Sequence, residues 1–480
     1  ARLAETVQGL GLPQIYVMGS NGGVFEASEG VAMPAMAVES GPAAGVVAAA
    51  IVANQTGRKN MLSFDMGGTT AKASLIRDGH YETTPEYEVG GGASTNRWMN
   101  GTGHPIRVPV IDLAEVSAGG GSIAWVDQAG SLRVGPHSAG ADPGPVCYQR
   151  GGTEPTVTDC NLLLGYLDRS SLIGGELEIS FAAAEAAISE KLGAPIGVDA
   201  RTAAAAVIDV VNHEMAEALK IVSVQRGYDP REFTLAAFGG AGPLHATALA
   251  TELDMTEVLC PPIPGAFSAL GLVGSDLKRD YVRTFYTTTD GAQADELANA
   301  FAALEAEGDA MLERAGVPAE RRRFERGVDA RYQRQSYELY VPVAEPPFSQ
   351  ATLGVIAEGF HDRHRQTYGH DNRQEPVQLV NVRLSAIGKI PPVEIKQQPG
   401  DGENTLKGRR AVWFRGQGEM EADVLDRDRL PAGFETQGPA VVESLESTIL
   451  VQPGWRASVD EQGFIVLSRD AQGGNEEQSS

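Results

Sequence analysis

The chain has 480 residues, a length that predicts two to four domains. Its 39 Lys and Arg against 63 Asp and Glu leave a formal charge of −24, which argues against a nucleic-acid or anionic-membrane surface. ATP is not excluded, because backbone amides and one metal ion hold a phosphate in an acidic protein. With 42% hydrophobic and 21% charged residues the composition is globular, and glycine, at 57 residues, is about 12% against a usual ~7%. Three scattered cysteines, Cys147, Cys160 and Cys260, fit neither a disulfide framework nor a zinc ribbon and point to a reducing compartment, the cytoplasm. No apolar run approaches a membrane span, and there is no signal-peptide pattern. Ala1 stands where an initiator Met is expected, so the sequence reads as a fragment or a processed piece.

In chain order, Ala1 to Gly11 is helix-like, and Pro13 to Met18 is a short buried strand running into the turn Ser20-Asn21-Gly22-Gly23. Ser40-Gly41-Pro42 opens an Ala/Val-rich helix through about Ala53, with Ser before Pro as a helix start. An apolar strand over Asn60 to Phe64 leads into Asp65-Met66-Gly67-Gly68-Thr69-Thr70, and a second strand, Ala71 to Ile76, turns at Arg77-Asp78-Gly79. This is a hairpin, not a Walker loop, because no helix follows. Residues 90–160 are loop-rich, with Gly90 to Gly92, Gly119 to Gly121 and Gly140 to Gly144. Residues 180–226 are helical by apolar spacing. A strand over Phe233 to Phe238 enters Gly239-Gly240-Ala241-Gly242-Pro243 and a helix to about Leu253, followed by a strand at Val258 to Cys260. Beyond about residue 290 come an acidic helix over 294–315, a β-patterned segment over Arg321 to Val341 and a helix over Phe360 to Tyr368. After a linker at 395–408, strands are expected at Arg410 to Phe414, Ala440 to Glu443, Ile449 to Val451 and Gly463 to Leu467. Asp470 to Ser480 is a polar tail.

Asp65-Met66-Gly67-Gly68-Thr69-Thr70 carries the strongest chemical signal. Glycine amides approach a phosphate closely, threonine hydroxyls donate to its oxygens, and a carboxylate at a strand end holds a metal ion or orients water. The competing reading is a plain hairpin turn. Phe238 to His245 is a second strand–glycine–helix junction, where a nucleobase or ribose lies against bare backbone; close helix–strand packing explains the same glycines.

Together these two loops resemble the second phosphate motif and the adenosine motif of the actin-like ATPase superfamily. More specifically, the chain resembles the hydantoinase A/5-oxoprolinase family. The resemblance is carried by Ser20 to Gly23, Ser40 to Gly45, Phe64 to Lys72, Glu115 to Ala124, Pro143-Gly144-Pro145, Pro155 to Asp159, Phe238 to Ala246 and Ser268 to Gly271. It continues through Arg331 to Leu339, Glu375-Pro376-Val377, Val380 to Arg383 and Gly438 to Glu443, in order along nearly the whole chain. Two departures stand out. Family members begin with a first phosphate motif of the Asp-x-Gly-Gly-Thr-x-Thr-Asp type, and nothing like it precedes Asp65. Either a separate polypeptide supplies that half or the sequence is truncated. Ala71-Lys72 follows the Thr pair, which looks more like the N-methylhydantoinase branch than the 5-oxoprolinase branch. Lys72 either neutralises phosphate charge or points to solvent.

The resemblance implies ATP-dependent attack on a cyclic amide: the ring amide oxygen is phosphorylated and water opens the ring, with metal and glycine amides stabilising the phosphoryl oxygens. Asp65 then holds Mg²⁺, or another divalent metal, or its water. Gly67, Gly68, Thr69, Thr70 and Lys72 hold phosphate, and Gly239, Gly240 and Gly242 receive the adenosine. Loop residues His104, Asp112 and Glu115 are further metal candidates alongside Asp65, with His137 and Asp142 nearby; turn chemistry is the alternative. His245, in a helix first turn, is expected neutral, with structural and functional readings both open. His361, His364 and His370 read as a charged face, Cys160 as a buried structural thiol and Arg321-Arg322-Arg323 as a solvated end.

The expected fold is α/β: an actin-like (sugar kinase/Hsp70/actin) ATPase core, N-terminally incomplete, then a mixed α+β region with a β-rich end. The expected divisions are 1–57, a remnant of the first ATPase half; 58–288, the ATPase domain; 289–394, an α+β region; 395–470, a β-rich module; and 471–480, a disordered tail. The expected function is the A-type subunit of an ATP-dependent cyclic-amide hydrolase, in a hetero-oligomer with a B-type hydantoinase/oxoprolinase subunit. The alternatives are an ATP-dependent ketone carboxylase subunit or a non-catalytic assembly subunit.

Overall fold

The structure, a computed structural model, describes residues 2–11, 15–84, 87–89, 104–106, 108–172 and 175–469. The expected tail lies outside them, as do Gly90 to Gly92. The architecture is mixed α/β and rests on two large sheets. A nine-stranded sheet runs Ala114–Val116, Ala71–Arg77, Met61–Met66, Thr234–Phe238, Glu257–Cys260, Ile465–Ser468, Arg456–Val459 and Glu435–Gln437, with His80–Tyr81 paired off this path. At its centre Met61–Met66, Thr234–Phe238 and Glu257–Cys260 are parallel. Parallel strands need cover on both faces, which is why these segments are almost continuously apolar.

One face is covered by the helix Ser40–Thr56, whose small side chains pack on Met61, Ile76, Phe238 and Phe267. That helix stops at Gly57, which takes the left-handed conformation (φ 74°) that glycine supplies at a C-cap. Ala200–Val222 and Gly242–Glu252 cover the other face. Asp199 caps the longer of these by accepting the Thr202 N–H at 2.9 Å. Two of the sequence signatures are explained here by packing alone. A Cβ on Gly271 would lie 1.9 Å from the Ala44 carbonyl oxygen, and one on Gly45 would lie 2.7 Å from the Phe238 ring. The Ser40–Gly45 and Ser268–Gly271 runs therefore let two helices and a strand meet at backbone distance.

The six-stranded sheet runs Tyr16–Met18, Val24–Glu26, Leu277–Thr288, Val377–Gly388, Arg322–Tyr332 and Leu339–Val343, with Ala294–Arg314 and Gln350–Tyr368 packed on one face. Strands from residues 16–26 thus share a sheet with strands from residues 277–388. Within 406–468 the strands divide: Leu406–Phe414, Gly418–Asp426, Ala440–Glu443 and Thr448–Val451 form their own sheet, while the other three complete the nine-stranded one. Strands from the expected segments 1–57 and 289–394 thus share the six-stranded sheet, and strands from 58–288 and 395–470 share the nine-stranded one.

The charged-face expectation for the C-terminal histidines is corrected for two of the three. His361 and His364 are buried on the helix Gln350–Tyr368. The Tyr332 hydroxyl bonds His361 Nδ1 at 2.8 Å, and Gln335 Nε2 meets His364 Nε2 at 2.7 Å. These side chains close the core beneath Phe360, so their spacing on one helix face reflects burial.

Candidate functional site

Asp65 ends one central parallel strand, and Phe238 is its direct register partner on the next. The loops that follow, Gly67 to Thr70 and Gly239 to Gly242, consequently leave the sheet side by side at its carboxyl edge, where open α/β sheets bind ligands. They touch. Ala241 N–H donates to the Met66 carbonyl at 3.0 Å, and Gly239 N–H donates to the Pro264 carbonyl at 2.9 Å. Gly239 has φ +82°, and a Cβ there would lie 2.4 Å from Met66 O and 2.5 Å from Asp65 Oδ1. Bare backbone is what allows the second loop to lie on the Asp65 carboxylate.

Gly67 and Gly68 are different: a Cβ at either meets nothing within 4 Å. They face open space at the tip of the hairpin Met61–Met66/Ala71–Arg77. Gly119 to Gly121, a signature with no role derived from sequence, proves to be the clamp on that tip. Gly120 N–H donates to Gly67 C=O at 3.1 Å and Gly121 N–H to Gly68 C=O at 2.7 Å. A Cβ on Gly119 would lie 2.6 Å from the Thr69 backbone. In a trans peptide the N–H points opposite to the C=O. With both carbonyls turned into the clamp, the Gly68 and Thr69 N–H groups are turned out of it, and among the described residues neither has an acceptor. Two outward amides beside two hydroxyls fit a phosphate.

The Asp65 carboxyl is half-buried and accepts no hydrogen bond among the described residues. Burial raises its pKa, and the Lys72 charge partly offsets this. Lys72 is its cross-strand partner, and Glu115 is the partner of Lys72 on the next strand. The ammonium lies 3.5 Å from Glu39 and 3.4 Å from Glu115. It is thus held among carboxylates beside the hairpin tip and does not project into solvent.

The four metal candidates do not assemble. Among the described residues no group of three or more His, Cys, Asp and Glu side chains is placed to hold a metal. Asp112 pairs with Arg226, Glu115 with Lys72, and His104 is exposed on a separate two-stranded sheet, paired to Val89. Of the four, Asp65 is the one on which the two glycine loops meet.

His245 falls on the structural side. It is fully buried, with Nδ1 2.7 Å from Asn212 Oδ1 and Nε2 3.3 Å from Asn161 Nδ2, linking three helices. Burial pushes its pKa down to about 4. Between the ordinary 6.5 and that value the unfolded chain binds the proton and the folded chain does not. Stability therefore falls as pH drops through that window, by about 3 kcal/mol at its lower end. His245→Gln is expected to lack this share of the acid sensitivity, which urea melts at pH 7 and pH 5 would detect; an unchanged slope would contradict the assignment. Cys160 is buried and its thiol pushed well up, as expected of a structural cysteine.

Residues 3–281 match the Hydantoinase/oxoprolinase family and residues 286–469 the Hydantoinase/oxoprolinase C-terminal domain, so the chain belongs to the hydantoinase/oxoprolinase family. It is 43% identical over 457 residues to an uncharacterized protein of Methanocaldococcus jannaschii, covering 95% of this chain and 65% of that protein. It is 36% identical over 459 residues to the caprolactamase subunit alpha of Pseudomonas jessenii, covering 94% and 64%. The crystal structure of the ATP-dependent caprolactamase from that organism superposes with a TM-score of 0.82 at 34% identity, over 97% of this chain and 68% of that one. The acetophenone carboxylase gamma subunit of Aromatoleum aromaticum is 32% identical over 443 residues, covering 89% and 59%. The chain thus spans about two thirds or less of the length of these curated relatives. Among the described residues no helix is long and apolar enough to cross a membrane.

Proposed function

We propose that this chain forms the nucleotide-binding part of an ATP-dependent cyclic-amide hydrolase, acting as the A-type subunit with a B-type partner. The observation that carries this reading is the junction of two glycine loops on Asp65, with the Gly68 and Thr69 amides turned outward. When bound, ATP supplies the phosphoryl group that makes the ring amide electrophilic. Gly68 and Thr69 N–H and the Thr69 and Thr70 hydroxyls hold phosphate oxygens, where fixed donors stabilise charge without reorganisation. Asp65 holds Mg²⁺ or its water, and the adenosine lies against the second glycine loop at Gly240, with Gly239 and Gly242 packed on the Asp65 strand to hold that loop in place. Similarity to a caprolactamase subunit supports a lactam-like ring as substrate.

The test is ADP release by the full-length protein, with and without a B-type subunit, in the presence of a lactam, a hydantoin or 5-oxoproline. Ring-dependent release that requires the partner is the expected result. Similarity to a carboxylase subunit supports the second reading, a ketone carboxylase subunit, for which release would instead require bicarbonate and a ketone. No nucleotide turnover under either condition would leave the assembly-subunit reading.

A further inference from the structure

The C-terminal region reaches the candidate nucleotide site through one tight turn, Ser444 to Ser447, between the strands Ala440–Glu443 and Thr448–Val451. The turn is closed by the Ser444 N–H and hydroxyl, which both donate to the Ser447 carbonyl, at 2.9 and 3.0 Å. The hairpin and the segment after it are fixed to the helix after the second glycine loop: Thr247 Oγ1 donates to Leu450 O at 3.0 Å, and Trp455 Nε1 donates to Thr251 Oγ1 at 3.1 Å.

Glu446, at the end of this turn, borders two glycines. Its carbonyl oxygen would lie 3.6 Å from a Cβ on Gly240, and its Cγ would lie 2.5 Å from one on Gly265. Gly265 follows Pro264, whose carbonyl accepts from Gly239. The Glu446 carboxylate makes no hydrogen bond or ion pair among the described residues, and the Ser447 hydroxyl is buried without a partner. Arg427 Nη2 donates to Pro261 O at 2.6 Å and so anchors the Pro261–Pro264 segment, and the Arg427 charge lies within electrostatic reach of the Glu446 carboxylate.

We infer that Glu446 recognises the sugar of the bound nucleotide, its carboxylate accepting from the ribose hydroxyls. This rests on the nucleotide reading of the two glycine loops. The placement fits it. The hairpin tip at 67–70 carries the phosphate donors, Gly239 lies on Asp65 and Met66, and Glu446 borders the next residue of that loop, Gly240. A carboxylate beside this loop matches a vicinal diol, which has two donors and no charge of its own.

The test is calorimetric affinity for ATP, 2′-deoxyATP and 3′-deoxyATP, with the full-length wild type and with Glu446→Gln and Glu446→Ala. Glu446→Gln keeps the side-chain bulk against Gly265. Wild type is expected to favour ATP over at least one deoxy analogue by about 10- to 100-fold, the range of a hydrogen bond to a charged group. Glu446→Ala should lose that preference, with little change for the same analogue, and Glu446→Gln should retain part of it. Equal discrimination in wild type and Glu446→Ala, or none in wild type, overturns the role of Glu446 while leaving nucleotide binding intact. Folded wild type that binds no ATP overturns the nucleotide reading itself.

Discussion

Asp65→Asn is expected to lower nucleotide turnover by about 10²- to 10³-fold, the usual cost of removing one preorganised electrostatic group, without weakening the fold. The two halves of this result have one cause. A half-buried carboxylate with no hydrogen-bond donor among the described residues gives up hydration and gains little in return. Its raised pKa records that cost. Because the folded chain holds the Asp65 proton more tightly than the unfolded chain, this group's contribution falls as pH rises above the ordinary 3.8, and the penalty is complete above the raised value. Asparagine has the same shape and no charge, so it keeps the contact with Gly239 and removes the penalty. Urea melts should therefore show the variant at least as stable as wild type at pH 8, with the difference vanishing near pH 4. Lys72 keeps Glu39 and Glu115 as partners in the variant, so the change does not strand a cation. Unchanged turnover would remove Asp65 from the mechanism. A marked loss of stability at pH 8 would show that the carboxylate serves packing, not a ligand.

What made this site legible in the sequence was local. An apolar run, an acid, two glycines and two hydroxyls between strands predict the hairpin and its tip, and the structure places Met61–Met66 against Ala71–Arg77 as that pattern requires. The second glycine loop was legible for the same reason, as strand, glycines and helix in succession. What local pattern cannot carry is who touches whom. Gly119 to Gly121 are about fifty residues from the tip they clamp, and nothing in their own neighbourhood says that their amides turn the Gly68 and Thr69 N–H groups outward. Glu446 is about two hundred residues from Gly240. The long strand Leu277–Thr288 escaped a reading by alternation because it carries Lys, Arg or Asp on both faces. His361 and His364 looked like a charged face because their buried partners, Tyr332 and Gln335, come from a different strand and its following turn. The actin-like architecture, by contrast, was available through the ordered run of signatures, many of which, such as Gly45 and Gly271, turn out to serve packing.

Alanine at Gly239 and alanine at Gly67 are expected to fail in opposite ways, and this contrast separates packing glycines from ligand glycines. At Gly239 the backbone has φ +82°, which costs an L-residue about 1–2 kcal/mol. The new Cβ would also meet Met66 O at 2.4 Å and Met66 C at 2.9 Å, backbone atoms of a central strand that cannot retreat cheaply. Overpacking of this kind adds about 1–3 kcal/mol. Gly239→Ala should thus cost about 2–5 kcal/mol of stability in urea unfolding, and in the folded fraction it should displace Asp65, whose Oδ1 lies 2.5 Å from the same point. Gly67 has neither a left-handed φ nor any atom within 4 Å of a Cβ. Gly67→Ala should leave stability within about 1 kcal/mol, or raise it slightly through the less flexible unfolded chain, while a methyl group projects into the space assigned to phosphate and weakens ATP binding. Normal ATP affinity in stable Gly67→Ala and Gly68→Ala proteins would return the hairpin tip to a plain turn. Wild-type stability in Gly239→Ala would mean that the two loops do not meet on Asp65, and the site would lose the contact on which it is built.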